Sequence, residues 1–164
     1  MKGVNQLDRP AFVKRFGPLF EHSPWVAEEA WSDRPFADAD GLFEALESAM
    51  YAAPRERQLA LIQAHPDLAG KAAIEGSLTD SSQREQAAAG LDRLTPDEYE
   101  AFTRTNAAYR KRFGFPFVVC AREHTKESIL RVAGERLEHT PEEEVRVALE
   151  EIAKIARLRL GELP

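Results

Sequence analysis

Apolar residues recur along most of the chain at the spacing of an α-helix, and no stretch shows the sustained alternation of a β-strand. One apolar stripe of this kind predicts a helix from about Asp38 to Tyr51. The longest stripe lies near the C-terminus and consists of Val145, Ala148, Leu149, Ile152, Ile155 and Ala156. The dominant period therefore predicts an all-α fold.

Proline and glycine mark where several of these helices begin and end. One helix is predicted from Arg9 to Phe16, and the Gly17-Pro18 pair stops it. Another begins at Pro54 and carries His65 on its apolar side. It should end there, because Pro66 disfavours helical geometry in the residue before it.

Three segments have the sequence of a capping box, in which a hydroxyl residue is followed three positions later by Glu. They begin at Ser82, Thr95 and Thr140, and the last two also place proline at the first helical position. Together these signals predict about eight helices. A length of 164 residues suits one hydrophobic core, so we expect a single all-α domain over residues 1–164.

The segment Phe113 to Ala121 is the exception to the helical pattern. It is too apolar for a solvated loop, and Gly114 and Pro116 argue against a helix at its start. The composition leaves open a short buried strand or the start of a buried helix. Buried backbone groups need polar partners, and a polar ligand is one such partner. The segment could therefore line a pocket.

Composition and charge exclude several classes of protein. A content of 43% hydrophobic and 30% charged residues is typical of a globular domain. The net charge of −6 leaves no basic stripe for nucleic acid. The lone Cys120 has no disulfide partner, and its apolar neighbours indicate a buried thiol. No membrane span, signal core or peroxisomal ending is present in the sequence, so we expect a cytoplasmic protein.

His65 is the first candidate for chemistry, since histidine can donate or accept a proton near neutral pH. Its predicted place at a helix end, followed by the rigid and polar pair Pro66-Asp67, would let it face a cleft. A core histidine bonded to a backbone carbonyl fits the same position, and taken alone His65 favours that interpretation.

Glu85 also has two interpretations. It could simply cap the helix that is predicted to begin at Ser82. The free N–H groups of a helix start also suit a carboxylate or an oxyanion, so Ser82, Gln83 and Glu85 could form a polar cradle. The charged run from Glu138 to Arg146 is most simply a solvated helix start.

Arg159 lies four residues after Ile155, on the apolar stripe of the last helix, whereas Arg157 lies off the stripe. Arginine is rarely buried without a partner. Arg159 could serve a structural ion pair or act as a bidentate clamp on a carboxylate or ureido group. The four histidines and single cysteine show no metal-ligand spacing, and neither a phosphate loop nor a GxSxG motif is present.

Five segments form an ordered set that covers nearly the whole chain. They are residues 20–26 (FEHSPWV), 65–71 (HPDLAGK), 82–86 (SQREQ), 113–121 (FGFPFVVCA) and 154–160 (KIARLRL). The set resembles the family of 2-oxo-4-hydroxy-4-carboxy-5-ureidoimidazoline (OHCU) decarboxylases, enzymes of uric-acid degradation. HPDLAGK alone is moderately specific, and the ordered set is highly specific.

The resemblance implies an all-α homodimer that needs no metal or organic cofactor and converts OHCU to S-allantoin and carbon dioxide. It implies that His65 is the catalytic acid. Position 84 is Arg where Lys is also common in the family, and we expect its side chain to point to solvent. The implied substrate site consists of Pro66, Ser82, Gln83, Arg84, Glu85, Gln86, Phe117, Val118, Val119, Cys120, Ala121 and Arg159.

These expectations combine into one hypothesis, in which His65, Glu85 and Arg159 are the catalytic residues. His65 would act as acid or base near the leaving carboxylate, while Glu85 and Arg159 hold polar groups of the substrate. Backbone N–H groups of residues 118–121 would stabilise the developing enolate. Two alternatives stay open. One is another enzyme of ureide metabolism, acting on allantoin, and the other is a non-enzymatic helical interaction domain.

Overall fold

The structure is a computed structural model that describes residues 1–70, 73 and 75–164. These residues contain nine α-helices and three short 3-10 turns, and they contain no β-strand. The all-α prediction of about eight helices is confirmed. The helices are α1 (Lys2–Asn5), α2 (Arg9–Phe16), α3 (Trp25–Ala30), α4 (Ala39–Ala52), α5 (Arg55–Gln63), α6 (Asp80–Ala88), α7 (Pro96–Phe113), α8 (Lys126–Arg136) and α9 (Pro141–Glu162).

Contacts divide the described chain into two compact units. The first unit comprises residues 1–64 and 153–164, and the second comprises residues 65–152. One boundary falls between Ala64 and His65, and the other falls within α9. A single domain over residues 1–164 stays a prediction, and each unit is described separately.

The first unit contains α1 to α5 and the C-terminal part of α9. Asp8 and Asp38 cap α2 and α4, since each side chain accepts a backbone N–H from the first turn of its helix. Helices α3 and α4 pack together, and α2 packs on α3. The predicted helix from Arg9 to Phe16 is observed with the same limits. Buried apolar side chains of this unit include Phe12, Phe16, Val26, Leu42, Leu46 and Met50.

The second unit contains α6, α7, α8 and the N-terminal part of α9. Helix α7 packs on α8, and α6 packs on the 3-10 turn Ala121–Glu123. The stripe predicted for α9 is confirmed, because all six of its residues are buried. The core of the second unit includes Phe102, Tyr109, Ile129, Ala133, Val145 and Leu149.

Two of the three predicted capping boxes are confirmed, and the third is wrong. The side chains of Thr95 and Thr140 each accept the N–H of the Glu three residues later, whose carboxylate accepts the threonine N–H. Helix α6 begins at Asp80 instead of after Ser82. The hydroxyl of Thr79, three residues before Ser82, accepts the N–H of Ser82 and so caps the helix at this earlier position.

Helix α5 is also shorter than predicted. It ends at Gln63 with Ala64 as its cap, so His65 follows the helix and is not part of it. Pro66 disfavours helical geometry at His65, the residue directly before it, and the helix has already ended with its cap at Ala64. No helix among the described residues is long and apolar enough to cross a membrane.

Candidate functional site

His65 is the first residue of the second unit, and its side chain is buried, with 7% of its surface exposed. The backbone of residues 67–69, which follows His65 and Pro66, is held by two amide side chains. Gln86 on α6 accepts the N–H of Ala69 at 2.9 Å and donates to the carbonyl of Asp67 at 3.3 Å. Asn106 on α7 donates to the carbonyl of Leu68 at 2.9 Å. These bonds fix the backbone directly after His65 and Pro66.

A partly exposed ion pair also holds the backbone that follows His65. Arg110 on α7 donates to the carboxylate of Asp67 at 3.0 Å, and both side chains are partly exposed. Ala69 adopts a φ of 52°, a left-handed conformation that is unusual for a residue with a side chain. The bonds from Gln86 and Asn106 therefore hold a segment of costly backbone geometry in place.

Helix α6 presents one face to the interior of the second unit. Ser82 and Gln86 are buried and Glu85 is half-buried, as their spacing of three and four residues requires. Gln83 and Arg84 are exposed, and the solvent-facing side chain expected at position 84 is confirmed. Because α6 begins at Asp80, Glu85 lies inside the helix and does not cap it. The helix-start cradle predicted at Ser82 is therefore wrong, and the Ser82 N–H bonds to Thr79 instead.

The apolar segment after α7 is neither a strand nor the start of a helix. Gly114 ends α7 with a φ of 77°, and residues 115–120 have no regular structure before the 3-10 turn at Ala121–Glu123. This corrects the expectation for residues 113–121. Phe117, Val118, Val119, Cys120 and Ala121 are nonetheless all buried, so their backbone groups need partners that secondary structure does not supply.

Charged side chains supply two of those partners. Arg136 on α8 donates from Nη1 to the carbonyl of Val118 at 2.6 Å, and Glu151 on α9 accepts the N–H of Cys120 at 2.8 Å. The Cys120 N–H is thus already used, and its predicted role as a donor to the substrate is wrong. Within the described part of the chain, no acceptor is found for the N–H groups of Val118, Val119 and Ala121.

Cys120 is buried, as its apolar neighbours indicated. Burial, followed by the nearby carboxylates of Glu123, Glu151 and Glu85 in that order, raises the pKa of its thiol to about 11. Helix α6, which carries Glu85, packs on the 3-10 turn that begins at Ala121. The thiol stays protonated near neutral pH and is a poor nucleophile.

Arg159 lies in the first unit and is buried, whereas Arg157 is exposed, as the apolar stripe predicted. Arg159 donates from Nη2 to the carboxylate of Glu21 at 2.8 Å and from Nη1 to the carbonyl of Leu19 at 3.3 Å. Arg157 forms a surface ion pair with Asp40. Arg159 therefore has the structural ion pair that was one of its two interpretations.

The second unit brings together three of the predicted segments. Gln86 joins α6 to residues 67–69, and the packing of α6 on residues 121–123 joins it to the apolar segment. Among the described residues, no group of three or more His, Cys, Asp or Glu side chains could hold a metal ion. Helix α6 thus contacts both the backbone after His65 and the end of the apolar segment.

Four buried polar residues near these segments were missed from the sequence: Asn106, Arg136, Glu144 and Glu151. Glu144 is fully buried, so the interpretation of residues 138–146 as a solvated helix start is wrong at this position. Glu144, Ala148, Glu151 and Ile155 follow the same helical spacing that selected Arg159. Applied to carboxylates as well, that criterion would have found both glutamates.

The fold defines the class first: an all-α protein with buried polar side chains beside the chain after His65, on α6 and behind residues 117–121. The chain belongs to the OHCU decarboxylase family, whose model matches residues 5–161. The resemblance inferred from the ordered motifs is confirmed.

Individual relatives agree with this assignment. The chain is 46% identical over 162 residues to the 2-oxo-4-hydroxy-4-carboxy-5-ureidoimidazoline decarboxylase of Haloferax volcanii, covering 99% of this chain and 94% of that protein. It is 42% identical to the mouse protein of the same name, covering 99% and 92%. A crystal structure of (S)-allantoin synthase matches with a TM-score of 0.76 and 32% identity, covering 97% of this chain and 52% of that chain.

Proposed function

We propose that this protein catalyses the decarboxylation of OHCU to S-allantoin and carbon dioxide in uric-acid degradation. The observation that carries the proposal is the meeting of three segments in the second unit: the exit from His65, the inner face of α6 and the buried backbone of residues 117–121. Relatives that share 46% and 42% identity over nearly the whole chain bear the name of this decarboxylase.

The chemistry needs a proton and a place for negative charge. As its name states, OHCU carries its carboxyl and hydroxyl groups on carbon 4 and its ureido group on carbon 5. The bond from carbon 4 to the carboxyl group breaks, carbon dioxide leaves, and the electron pair passes into the ring. The ring nitrogen that takes up this electron pair is protonated. The hydroxyl group on carbon 4 then loses its proton and becomes a carbonyl as a proton is added to carbon 5, which creates the stereocentre of allantoin. The enzyme must hold the transient anion and protect one face.

The described groups suit both tasks. His65 can supply or relay the proton, since it is buried and its backbone is fixed by Gln86 and Asn106. The N–H groups of Val118, Val119 and Ala121, which have no acceptor within the described chain, are the candidates for stabilising the anion. Glu85 would hold the hydroxyl or ureido group.

The remaining residues of the predicted site keep supporting roles in this proposal. Pro66 would border the substrate beside His65, with Ser82 on the inner face of α6. Gln83 and Arg84 are exposed, so any contact from them would come through the backbone. Gln86 uses its amide on Asp67 and Ala69, so it would act mainly by shaping the site. Arg159 binds Glu21 and the carbonyl of Leu19, and we propose that it clamps the substrate in addition to these bonds.

We further propose that the enzyme is a cytoplasmic homodimer that works without a metal or organic cofactor. Light scattering on the purified protein tests the dimer, and full activity after exhaustive dialysis against a chelator tests the independence from metal.

Replacing His65 with Asn tests the proposed function directly. OHCU is generated freshly from urate by the two preceding enzymes, and the formation of optically active allantoin is followed by circular dichroism. We expect wild-type protein to produce S-allantoin and His65→Asn to lose at least about 100-fold in rate, the usual range for a lost general acid.

His22→Asn is the matched control, because His22 is exposed and its left-handed backbone suits Asn. It should retain wild-type activity. A wild-type protein that leaves OHCU unchanged but acts on allantoin would favour the other ureide enzyme. Inertness towards both compounds would favour an interaction domain.

A further inference from the structure

A fully buried ion pair lies behind the segment 117–121. Arg136 is 4% exposed and Glu144 is 0% exposed. Arg136 donates from Nε to the carboxylate of Glu144 at 2.5 Å, and its Nη2 contacts the same oxygen. The hydroxyl of Tyr109 also donates to Glu144, and burial followed by this carboxylate raises the pKa of Tyr109, so its phenol keeps the proton it donates.

Arg136 of this ion pair also binds the backbone of the apolar segment. Arg136 uses Nη1 to donate to the carbonyl of Val118, and its guanidinium lies 4.5 Å from the centre of the Phe117 ring. Glu151, two helical turns after Glu144 on α9, accepts the N–H of Cys120. Two buried carboxylates on one helix face therefore hold the segment, one through Arg136 and one directly.

Planarity of the peptide bond gives these two contacts a specific consequence. The carbonyl of Val118 and the N–H of Val119 belong to one trans peptide unit and point in opposite directions. Holding that carbonyl on Arg136 therefore aims the Val119 N–H away from the ion pair. In the same way, the bond from Cys120 to Glu151 aims the carbonyl of Val119 away from Glu151. Both polar groups of Val119 are thus fixed in direction.

We propose that Arg136, Glu144 and Glu151 are positioning residues of the reaction, which aim the Val119 N–H at the anion formed on decarboxylation. The inference rests on the proposed function. Stability alone does not explain the cluster, because a buried ion pair is often no more stabilising than apolar residues of similar volume. A hydrogen-bond donor that is already oriented before the reaction begins lowers the barrier to forming an anion.

Kinetics of conservative variants form the first arm of the test. Arg136→Lys keeps the charge but cannot bond Glu144 and Val118 with the same planar fork, and Glu151→Gln keeps an acceptor for Cys120 without its charge. We expect Arg136→Lys to lower kcat about tenfold or more with KM within about threefold, because a misaimed donor weakens mainly the transition state. Glu151→Gln should retain most of kcat, whereas Glu151→Ala should fall as far as Arg136→Lys.

Exposed neighbours provide matched controls. Arg131→Lys lies on the same helix as Arg136, and Glu150→Ala lies beside Glu151; both residues are in surface pairs. These variants should keep kcat within about twofold. Assays at a temperature well below each melting point separate misplacement from unfolding. If Glu151→Ala does not fold, Arg136→Lys and Glu151→Gln still decide the outcome.

A spectroscopic arm reports on the backbone without using activity. The chain has a single cysteine, so protein labelled with 15N-cysteine gives one amide resonance, that of Cys120. We expect this resonance to shift in Glu151→Ala and Arg136→Lys and to stay in place in both controls.

The combined results separate the two proposals. A wild-type protein inactive on OHCU would overturn the proposed function, and the positioning role with it. An active wild type with folded variants that keep full kcat would overturn the positioning role alone, whether or not the Cys120 resonance moves. A fall in kcat accompanied by the shift supports both.

Discussion

The guanidinium of Arg159 donates to the carboxylate of Glu21 over 2.8 Å, and both side chains are almost completely buried. Two residues earlier, Arg157 is exposed and pairs with Asp40 at the surface. The motif that contains Glu21 and the last helix are therefore joined inside the first unit by an ion pair shielded from water. Arginines two residues apart thus have very different environments.

Removing Glu21 should strongly destabilise the protein. Glu21→Ala leaves a buried guanidinium without its carboxylate, and we expect the free energy of unfolding in urea to fall by about 3–5 kcal/mol. Glu29→Ala removes an exposed carboxylate that pairs with Arg57, and it should change stability by no more than about 0.5 kcal/mol. Equal effects of the two substitutions would contradict the buried pair.

The proposed clamp predicts that the two arginines differ in activity as well. Arg159→Lys should lower kcat/KM for OHCU at least tenfold, since lysine cannot reproduce a planar contact with several donors. Arg157→Lys should stay within about threefold, because it preserves the charge of an exposed pair. Initial rates by circular dichroism measure both, and a larger loss at position 157 would refute the choice of Arg159.

The burial of Arg159 could be predicted because helical spacing reports directly which positions face inwards. The same information was present for Glu144 and Glu151, but charge favoured a solvated interpretation. The course of residues 115–120 could not be predicted from spacing. It depends on tertiary partners, Arg136 and Glu151, that lie 18 and 31 residues away from the backbone groups they bind. Local propensity does not contain such contacts.

The start of α6 shows a second limit of local patterns. Ser82 to Glu85 has the sequence of a capping box, yet Thr79 also has a hydroxyl group three residues before a free N–H. Two possible caps lay within one turn, and the upstream cap allowed a longer helix. With the helix beginning at Asp80, Ser82 and Gln86 are both inside it and are buried on one face, and such packing supplies most of the stability of a short helix.

Cys120 should be chemically inert in the folded protein. With its pKa raised to about 11, well under 1% of the thiol is ionised at pH 8, and burial blocks reagents as well. We expect a disulfide reagent such as DTNB to react at least about 100-fold faster with the urea-unfolded chain. Rapid labelling of native protein at pH 8 would show that the thiol is accessible after all.

The same pKa shift predicts a loss of stability in alkali. The fold favours the neutral thiol, so its contribution is fully present below the unfolded pKa, near 9, and disappears as the pH rises towards about 11. Between these values the unfolded chain has already released the proton. In Cys120→Ala, the decline in the free energy of unfolding over this window should be shallower than in wild type.

Removing the amide of Gln86 should lower both the stability of the protein and its activity, because this amide holds the backbone of residues 67–69. Gln86→Leu is similar in size but leaves the N–H of Ala69 and the carbonyl of Asp67 without their partner. We expect the free energy of unfolding to fall by about 1–3 kcal/mol. The rate on OHCU should fall as well, since the backbone after His65 and Pro66 loses a support on which its position depends.

Gln86→Glu separates the two bonds of this amide. It keeps an acceptor for the N–H of Ala69 but, when ionised, turns an oxygen towards the carbonyl of Asp67. A protonated carboxyl group can donate there, so Gln86→Glu should be more stable relative to wild type at pH 5 than at pH 8, as measured by urea unfolding. Gln83→Leu, at an exposed position of the same helix, should change stability by less than about 0.5 kcal/mol. If Gln86→Leu were as stable as Gln83→Leu, the bridge to Asp67 and Ala69 would not hold the segment.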